Sequence, residues 1–217
     1  MIAVYSYKWV PDFARGLVRD LRVRWALEEA GLPYEQRLIS VGPEQSTPQY
    51  RALQPYGQVP AYVENDLTLF ESGAIALHIA EKSEVLLPRD PKGRARAICW
   101  LFSALNTVEP PVQDLTGLDL FFEGQPWKEG RRASVEPMAR RRLAELAAAL
   151  GDKEYLEGRF TVGDLMMVTV LQIPRHTDLV AAHPNLAAYV ARCEARPAYQ
   201  RALKAQLESF QAEPEMA

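Results

Sequence analysis

Cysteine is nearly missing from this chain of 217 residues: there are two, Cys99 and Cys193, far apart and without CxxC spacing. That excludes a disulfide framework. Both are expected as reduced thiols in helical core positions, which suits a cytoplasmic protein. Histidine is almost as scarce, and His78, His176 and His183 have no ligand-like spacing, so no metal is expected. No apolar run approaches membrane-spanning length. The start "MIAVYSYKWVPDFARG" lacks the basic segment and long apolar run of a signal peptide. Charge of one sign is lacking too: 25 Lys and Arg stand against 28 Asp and Glu, a formal net charge of −3. Nucleic acid and anionic membranes select a basic surplus, so neither is expected as a partner. The triplet Arg140-Arg141-Arg142 sits in a helical pattern ending "LAELAAAL" and reads as a solvated helix face. There are no repeats, and only the polar end "QAEPEMA" is expected to fray.

What is present divides in two. Residues 1–85 alternate strand and helix signals. "IAVYSY" reads as a strand and "LVRDLRVRWALEEAG" as a helix stopped by Gly31 and Pro33. "YEQRLIS" is a strand, and "STPQYRALQ" a short helix with a Ser/Thr cap and Pro48 in its first turn. "PAYVE" and "LTLF" form a hairpin around Asn65-Asp66, and "SGAIALHIAEK" closes the order β-α-β-α-β-β-α. After a linker at 86–92, residues 93–217 carry helical periodicity throughout, ending in the long run "NLAAYVARCEARPAYQRALKAQLESF". In "RFTVGDLMM", Thr161 and Asp164 have capping-box spacing and Phe160 and Leu165 that of a hydrophobic staple, a folding feature without catalytic meaning.

The stretch "GQVPAYVENDLTLFESGAI" holds the chemistry. Pro60 has no N–H to give a ladder, so it belongs at a strand start, edge or bulge. With a cis bond before it, the Val59 amide and carbonyl would face outward, able to pair with an extended peptide; with a trans bond Pro60 simply starts a strand. Ser72 opens a helix whose first N–H groups suit a carboxylate, and Glu71 beside it could accept from an ammonium group. Together they suit an α-amino-acid head. The alternative is a capping serine and a favourable dipole charge.

The segment "LQPYGQVPAYVENDLTLFESGAIALHIAEK" resembles the glutathione-binding half of cytosolic glutathione transferases of the bacterial type, whose pattern runs roughly NPxGxVPxL…ESxAIxxYI. Gln54 stands for the usual Asn, Tyr62 for an aliphatic residue and His78 for an aromatic one. "RVRWALEEAGLPYE" and "FTVGDLMMVTVL" extend the resemblance along the chain. It implies a thioredoxin-like βαβαββα domain with cis Pro60, followed by an all-helical domain, and a homodimer. It also implies glutathione as cosubstrate, with Val59 pairing to its cysteinyl backbone and Glu71 and Ser72 holding the γ-glutamyl end. Gln58 matches a position that contacts the tripeptide; Gln45 and Ser46 are candidates for its glycine carboxylate, although lysine is common there.

Such an enzyme needs the thiol as thiolate, and a free thiol titrates near ~8.5. The family supplies Tyr, Ser or Cys between the first strand and first helix. The place common for serine falls near Leu17, which cannot serve, and the loop is several residues long. The absence of Cys there disfavours mixed-disulfide chemistry. Ser6, Tyr7, Lys8, Trp9 and Arg15 remain, with Tyr7 the first candidate and Trp9 the second. As core aromatics and solvated charges they would equally make sense. In "ICWLFSALNTVEPP", Ser103, Asn106 and Glu109 form a polar stripe. In this fold the matching helix would line the second-substrate pocket, so Asn106 and Glu109 are candidates there, a subunit interface being the alternative. The expected activity is attack of the glutathione thiol on an apolar electrophilic small molecule, with a related isomerase or peroxidase reaction in view. A glutathione-transferase-like interaction module without turnover is the second reading.

Overall fold

The computed structural model describes residues 1–211, so most of the polar end read as fraying lies outside the described residues. The first part runs β1 (Ile2–Tyr7), α1 (Asp20–Ala30), β2 (Glu35–Ile39), α2 (Pro48–Leu53), β3 (Ala61–Glu64), β4 (Leu67–Phe70) and α3 (Ser72–Ala80), in the expected order. The sheet order is β2-β1-β3-β4, with β1 parallel to β2 and antiparallel to β3, and β3 antiparallel to β4. Alternation along β1 turns Ile2, Val4 and Ser6 to one buried face. Tyr5 and Tyr7, on the other, pack with Ile39, Tyr50, Val59 and Leu53. The hairpin turns on Asn65, whose φ of 56° lies in the left-handed region that Asn tolerates. Thr47 caps α2, accepting from the Tyr50 amide at 3.2 Å.

The chain forms two compact units, Met1–Leu86 together with the helix that follows Arg196, and Leu87–Ala195. The long helical run near the end is two helices, α8 (Pro184–Glu194) and α9 (Pro197–Ser209). Pro197 forces Arg196 out of helical geometry (φ −65°, ψ 132°), and the chain turns there. From that point α9 packs against α1. Trp25 meets Tyr199 edge to face with centroids 4.8 Å apart. Arg196 forks onto Glu29 at 2.6 and 2.8 Å, and Arg201 reaches Glu28 at 2.7 Å. With α3 on another side, every residue of α1 from Asp20 to Leu27 is buried.

The second unit holds α4 (Pro91–Ser103), α5 (Glu109–Phe121), α6 (Lys128–Leu150), α7 (Val162–Leu171) and α8. Between α4 and α5 the chain stays helical but widens to a π turn at Ala104–Val108. Pro110 and Pro111 explain it: neither can donate to the residue four back, and their rings crowd those carbonyls. Arg140, Arg141 and Arg142 lie on the solvated face of α6, paired with Glu136 and Glu145. At the start of α7 the Thr161 hydroxyl accepts from Gly163 N–H (3.2 Å) and Asp164 accepts from Thr161 N–H (2.8 Å), so the capping box forms. Gly163 is required there, because a Cβ would lie 2.6 Å from Trp100 Cβ and 2.9 Å from the Ala97 carbonyl. The thiols divide: Cys193 is buried as expected, but Cys99 is exposed, on the same outer side of α4 as Phe102. Helical periodicity in a mixed run left the inward face of α4 ambiguous.

Candidate functional site

The sheet brings the singled-out residues of the first unit to one end. Tyr5 pairs with Ala61, and Ala61 with Phe70. Tyr7, still paired with Ile39 on β2, is the last residue of β1, and it packs against Val59, which comes just before β3; Ser72 follows β4 by two residues, so all three lie at the same end of the sheet. The Val59–Pro60 bond is cis. Tyr50 donates its hydroxyl to the Gln58 carbonyl at 2.7 Å and fixes the loop from below. Gln54 Oε1 accepts from Tyr56 N–H at 2.7 Å and holds the turn before it. Gly57 completes that turn at φ 65°, where a Cβ would also meet the Gln45 carbonyl at 2.9 Å.

Tyr7 ends β1. Gln45 Nε2 donates to Tyr7 Oη at 2.6 Å and to the Gly57 carbonyl at 2.8 Å, while Gln45 Oε1 accepts from Gly42 N–H at 2.5 Å. Burial pushes the Tyr7 phenol up, against the Val59 amide, which faces the oxygen and pulls the other way. Tyr7 therefore stays protonated, as a hydrogen-bond donor must. Gln45 spends both amide hydrogens inside the protein rather than keeping one for a ligand carboxylate.

Glu71 has φ 68° and ψ 113°, a conformation side chains other than glycine rarely adopt. Its carboxylate is exposed and makes no capping bond. Ser72 is thus the first helical residue rather than the cap, and the residue is 5 % exposed. Arg22 Nη1 on α1 donates to Ser72 Oγ at 3.3 Å. A guanidinium beneath the helix start reinforces the positive end of α3. Arg22 was not anticipated; the available signal was two arginines, Arg22 and Arg24, inside an otherwise apolar helical run.

The other candidates separate. Ser6 is buried on the opposite face, accepting from Arg24 Nη2 at 2.8 Å. Lys8 is committed to Glu44 at 2.9 Å and Ser40 at 3.3 Å, and that lysine holds the Glu44 carboxyl below its usual range. Trp9 and Arg15 line an open cavity of about 570 Å³ with Pro11 and Asp12. Leu17 lies in the turns before α1, which begins three residues later than its apolar pattern suggests. Gln58 has an exposed side chain, and Ser46 is exposed on the loop before α2. In the second unit, Asn106 is exposed on the π turn while Glu109 is 6 % exposed, so the widened turn parts two residues that regular spacing would align. Among the described residues no group of three or more His, Cys, Asp or Glu converges as a metal site, and no helix is long and apolar enough to cross a membrane.

Comparison with known proteins gives a consistent result. Residues 14–81 match the family model "Glutathione S-transferase, N-terminal domain", and residues 119–197 match "Glutathione S-transferase, C-terminal domain". A glutathione S-transferase of Hyoscyamus muticus is 30% identical over 197 residues, covering 85% of this chain and 92% of that protein. Glutathione S-transferase 4 of Zea mays is 30% identical over 207 residues, 91% of this chain and 89% of that one. Among solved structures, a glutathione transferase family member from Pseudomonas fluorescens with two glutathione bound has a TM-score of 0.81 and 27% identity, covering 93% of this chain and 92% of its own. One from Burkholderia graminis, with two glutathione molecules bound per subunit, has a TM-score of 0.81 and 28% identity, covering 94% and 87%.

Proposed function

Since the chain belongs to the glutathione S-transferase family, we propose that it binds glutathione through its first unit and transfers the glutathionyl group to an electrophilic small molecule. The observation that carries this reading is the gathering of Tyr7 at the end of β1, Val59 just before β3 and Ser72 just after β4 at one end of the sheet. Val59 offers backbone groups to the cysteinyl residue. The α3 start with Ser72, backed by Arg22, takes the γ-glutamyl carboxylate, and Glu71 takes the ammonium group. Gln58 lies beside Val59 with its side chain free to contact the tripeptide. Tyr7 donates its hydroxyl hydrogen to the sulfur and lowers the thiol pKa from about 8.5. The thiol proton is released to solvent, and the thiolate attacks the electrophilic carbon; a C–S bond forms and the leaving group departs with its electron pair.

Trp9, two residues after Tyr7 and lining an open cavity with Pro11, Asp12 and Arg15, serves in this reading as a wall of the thiol site. On the acceptor side Asn106 is the better candidate of the pair, since Glu109 is buried. A homodimer and an apolar acceptor are part of the proposal, supported by the family. No observation favours the module without turnover. The test is retention on immobilised glutathione followed by turnover with an aryl halide. Ser72→Ala and Glu71→Ala are expected to weaken binding, and Tyr7→Phe to raise the bound thiol's pKa and lower kcat with little change in glutathione affinity. A wild-type protein that ignores millimolar glutathione overturns the reading.

A further inference from the structure

The polarity of one hydrogen bond in this site is dictated by backbone groups with no choice of role. Gly42 N–H can only donate, and the Gly57 carbonyl can only accept. Gln45 bridges them, Oε1 at 2.5 Å from the first and Nε2 at 2.8 Å from the second. The amide is therefore locked in one orientation, and its second N–H must be the one directed to Tyr7 Oη at 2.6 Å. Tyr7 receives that bond as an acceptor. No acceptor among the described residues takes its own hydrogen, which is left free to turn to a ligand on the side away from Gln45.

We propose that Gln45 is a positioning residue that fixes Tyr7 as a hydrogen-bond donor toward the glutathione sulfur. This rests on the glutathione-binding reading above. The chain of command runs from Gly42 and Gly57 through Gln45 to Tyr7, and it holds the phenol in place without touching the reacting atoms. The separation from a merely structural role lies in the sign of the replacement. Glutamate at position 45 is isosteric but accepts only, so the Tyr7 hydroxyl would turn its hydrogen to that carboxylate and the sulfur would lose its donor. Methionine removes the lock without supplying a competing acceptor.

The experiment measures the apparent thiol pKa of bound glutathione by thiolate absorbance across pH, with glutathione affinity by calorimetry, on the full chain. The wild type is compared with Gln45→Glu, Gln45→Met, Tyr7→Phe and the double variant Tyr7→Phe/Gln45→Glu. Gln45→Glu is expected to raise the thiol pKa by about one unit and lower kcat/KM near neutral pH about tenfold, with affinity within about threefold. Gln45→Met is expected to give a smaller rise. In the Tyr7→Phe background, Gln45→Glu is expected to have no further effect. A glutathione-bound Gln45→Glu protein with an unchanged thiol pKa overturns the proposal while leaving the binding reading intact. The same rise in the Tyr7→Phe background also overturns it. If Gln45→Glu fails to fold, Gln45→Met decides alone: an unchanged pKa overturns the proposal. A wild-type chain that does not bind glutathione at all removes both readings, a result recognisable before any variant is made.

Discussion

Arg24 Nε lies 2.6 Å from Asp20 Oδ2 one helical turn away, with side chains 0% and 1% exposed. Arg24 also donates to Ser6 on β1 at 2.8 Å, and Gln206 on α9 donates to the second oxygen of Asp20 at 2.8 Å. One buried pair thus ties β1, α1 and α9. Burial raises the Asp20 carboxyl even though Arg24 opposes it, which shows how strongly desolvation acts there.

Breaking this pair from one side leaves an uncompensated buried charge. Asp20→Ala and Arg24→Ala are each expected to lower stability by about 3–5 kcal/mol. Replacing both with apolar residues of similar volume (Asp20→Leu with Arg24→Met) is expected to recover most of that loss. Chemical denaturation of the four proteins gives the coupling directly; simple additivity would contradict the buried-pair account.

Glu71 sets stability against binding. Its φ of 68° strains any residue but glycine. Glu71→Gly is therefore expected to raise the unfolding midpoint, by about 1 kcal/mol of stability, while removing the ammonium acceptor and raising the glutathione KM. Thermal melts and steady-state kinetics on the same preparation check both. A variant with an unaltered KM would show that the strained residue has no part in binding.

At the far end of the β3–β4 hairpin, Glu64 accepts from His78 (2.9 Å), Lys82 and Tyr62 (3.0 Å), and its carboxyl falls to about 2, with the His78 bond the largest cause. A depressed carboxyl pKa stabilises the fold above about 4.5, its unfolded value, and that stability is lost as pH falls toward 2. Solvent screening keeps it to about 1 kcal/mol. Glu64→Gln should melt below the wild type at pH 7, and the gap should narrow steadily as pH falls from about 4.5 toward 2. A gap constant across that range rules the network out as a source of stability.

In the second unit, Asp164 collects four donors: the Leu156 and Thr161 amides, the Thr161 hydroxyl and the Tyr189 hydroxyl. Its alanine variant strands them in the interior, with an expected loss of about 3–5 kcal/mol. Denaturation of Asp164→Ala measures this, and a loss under 1 kcal/mol would mean that water enters and replaces the carboxylate.

Features whose two halves lie within a few residues were legible in the sequence. The Asn65-Asp66 hairpin, the Thr47 cap, the Thr161/Asp164 box and the position of Pro60 each combine one side chain with its own neighbourhood. The α1 network was not, because Asp20, Arg22 and Arg24 find partners at residues 6, 72 and 206, and a sequence pattern carries no record of such distances. Gln45 was legible as a residue near the site but not in its role, since the bond polarity depends on Gly42 and Gly57 closing around it. The break between α8 and α9 was signalled by Pro197, yet apolar periodicity continuing on both sides concealed it.

The attachment of α9 to α1 has a consequence for biosynthesis. Translation delivers residues 1–86 before the rest of this stretch, but Trp25 and the buried charges of α1 lack Tyr199 and Gln206 until more than a hundred further residues have been made. The unit spanning Leu87–Ala195 is uninterrupted in sequence and can mature while its predecessor waits. A nascent chain stalled before residue 196 should therefore hold a protease-resistant middle segment and a digestible beginning, the reverse of the usual order along a ribosome-bound protein.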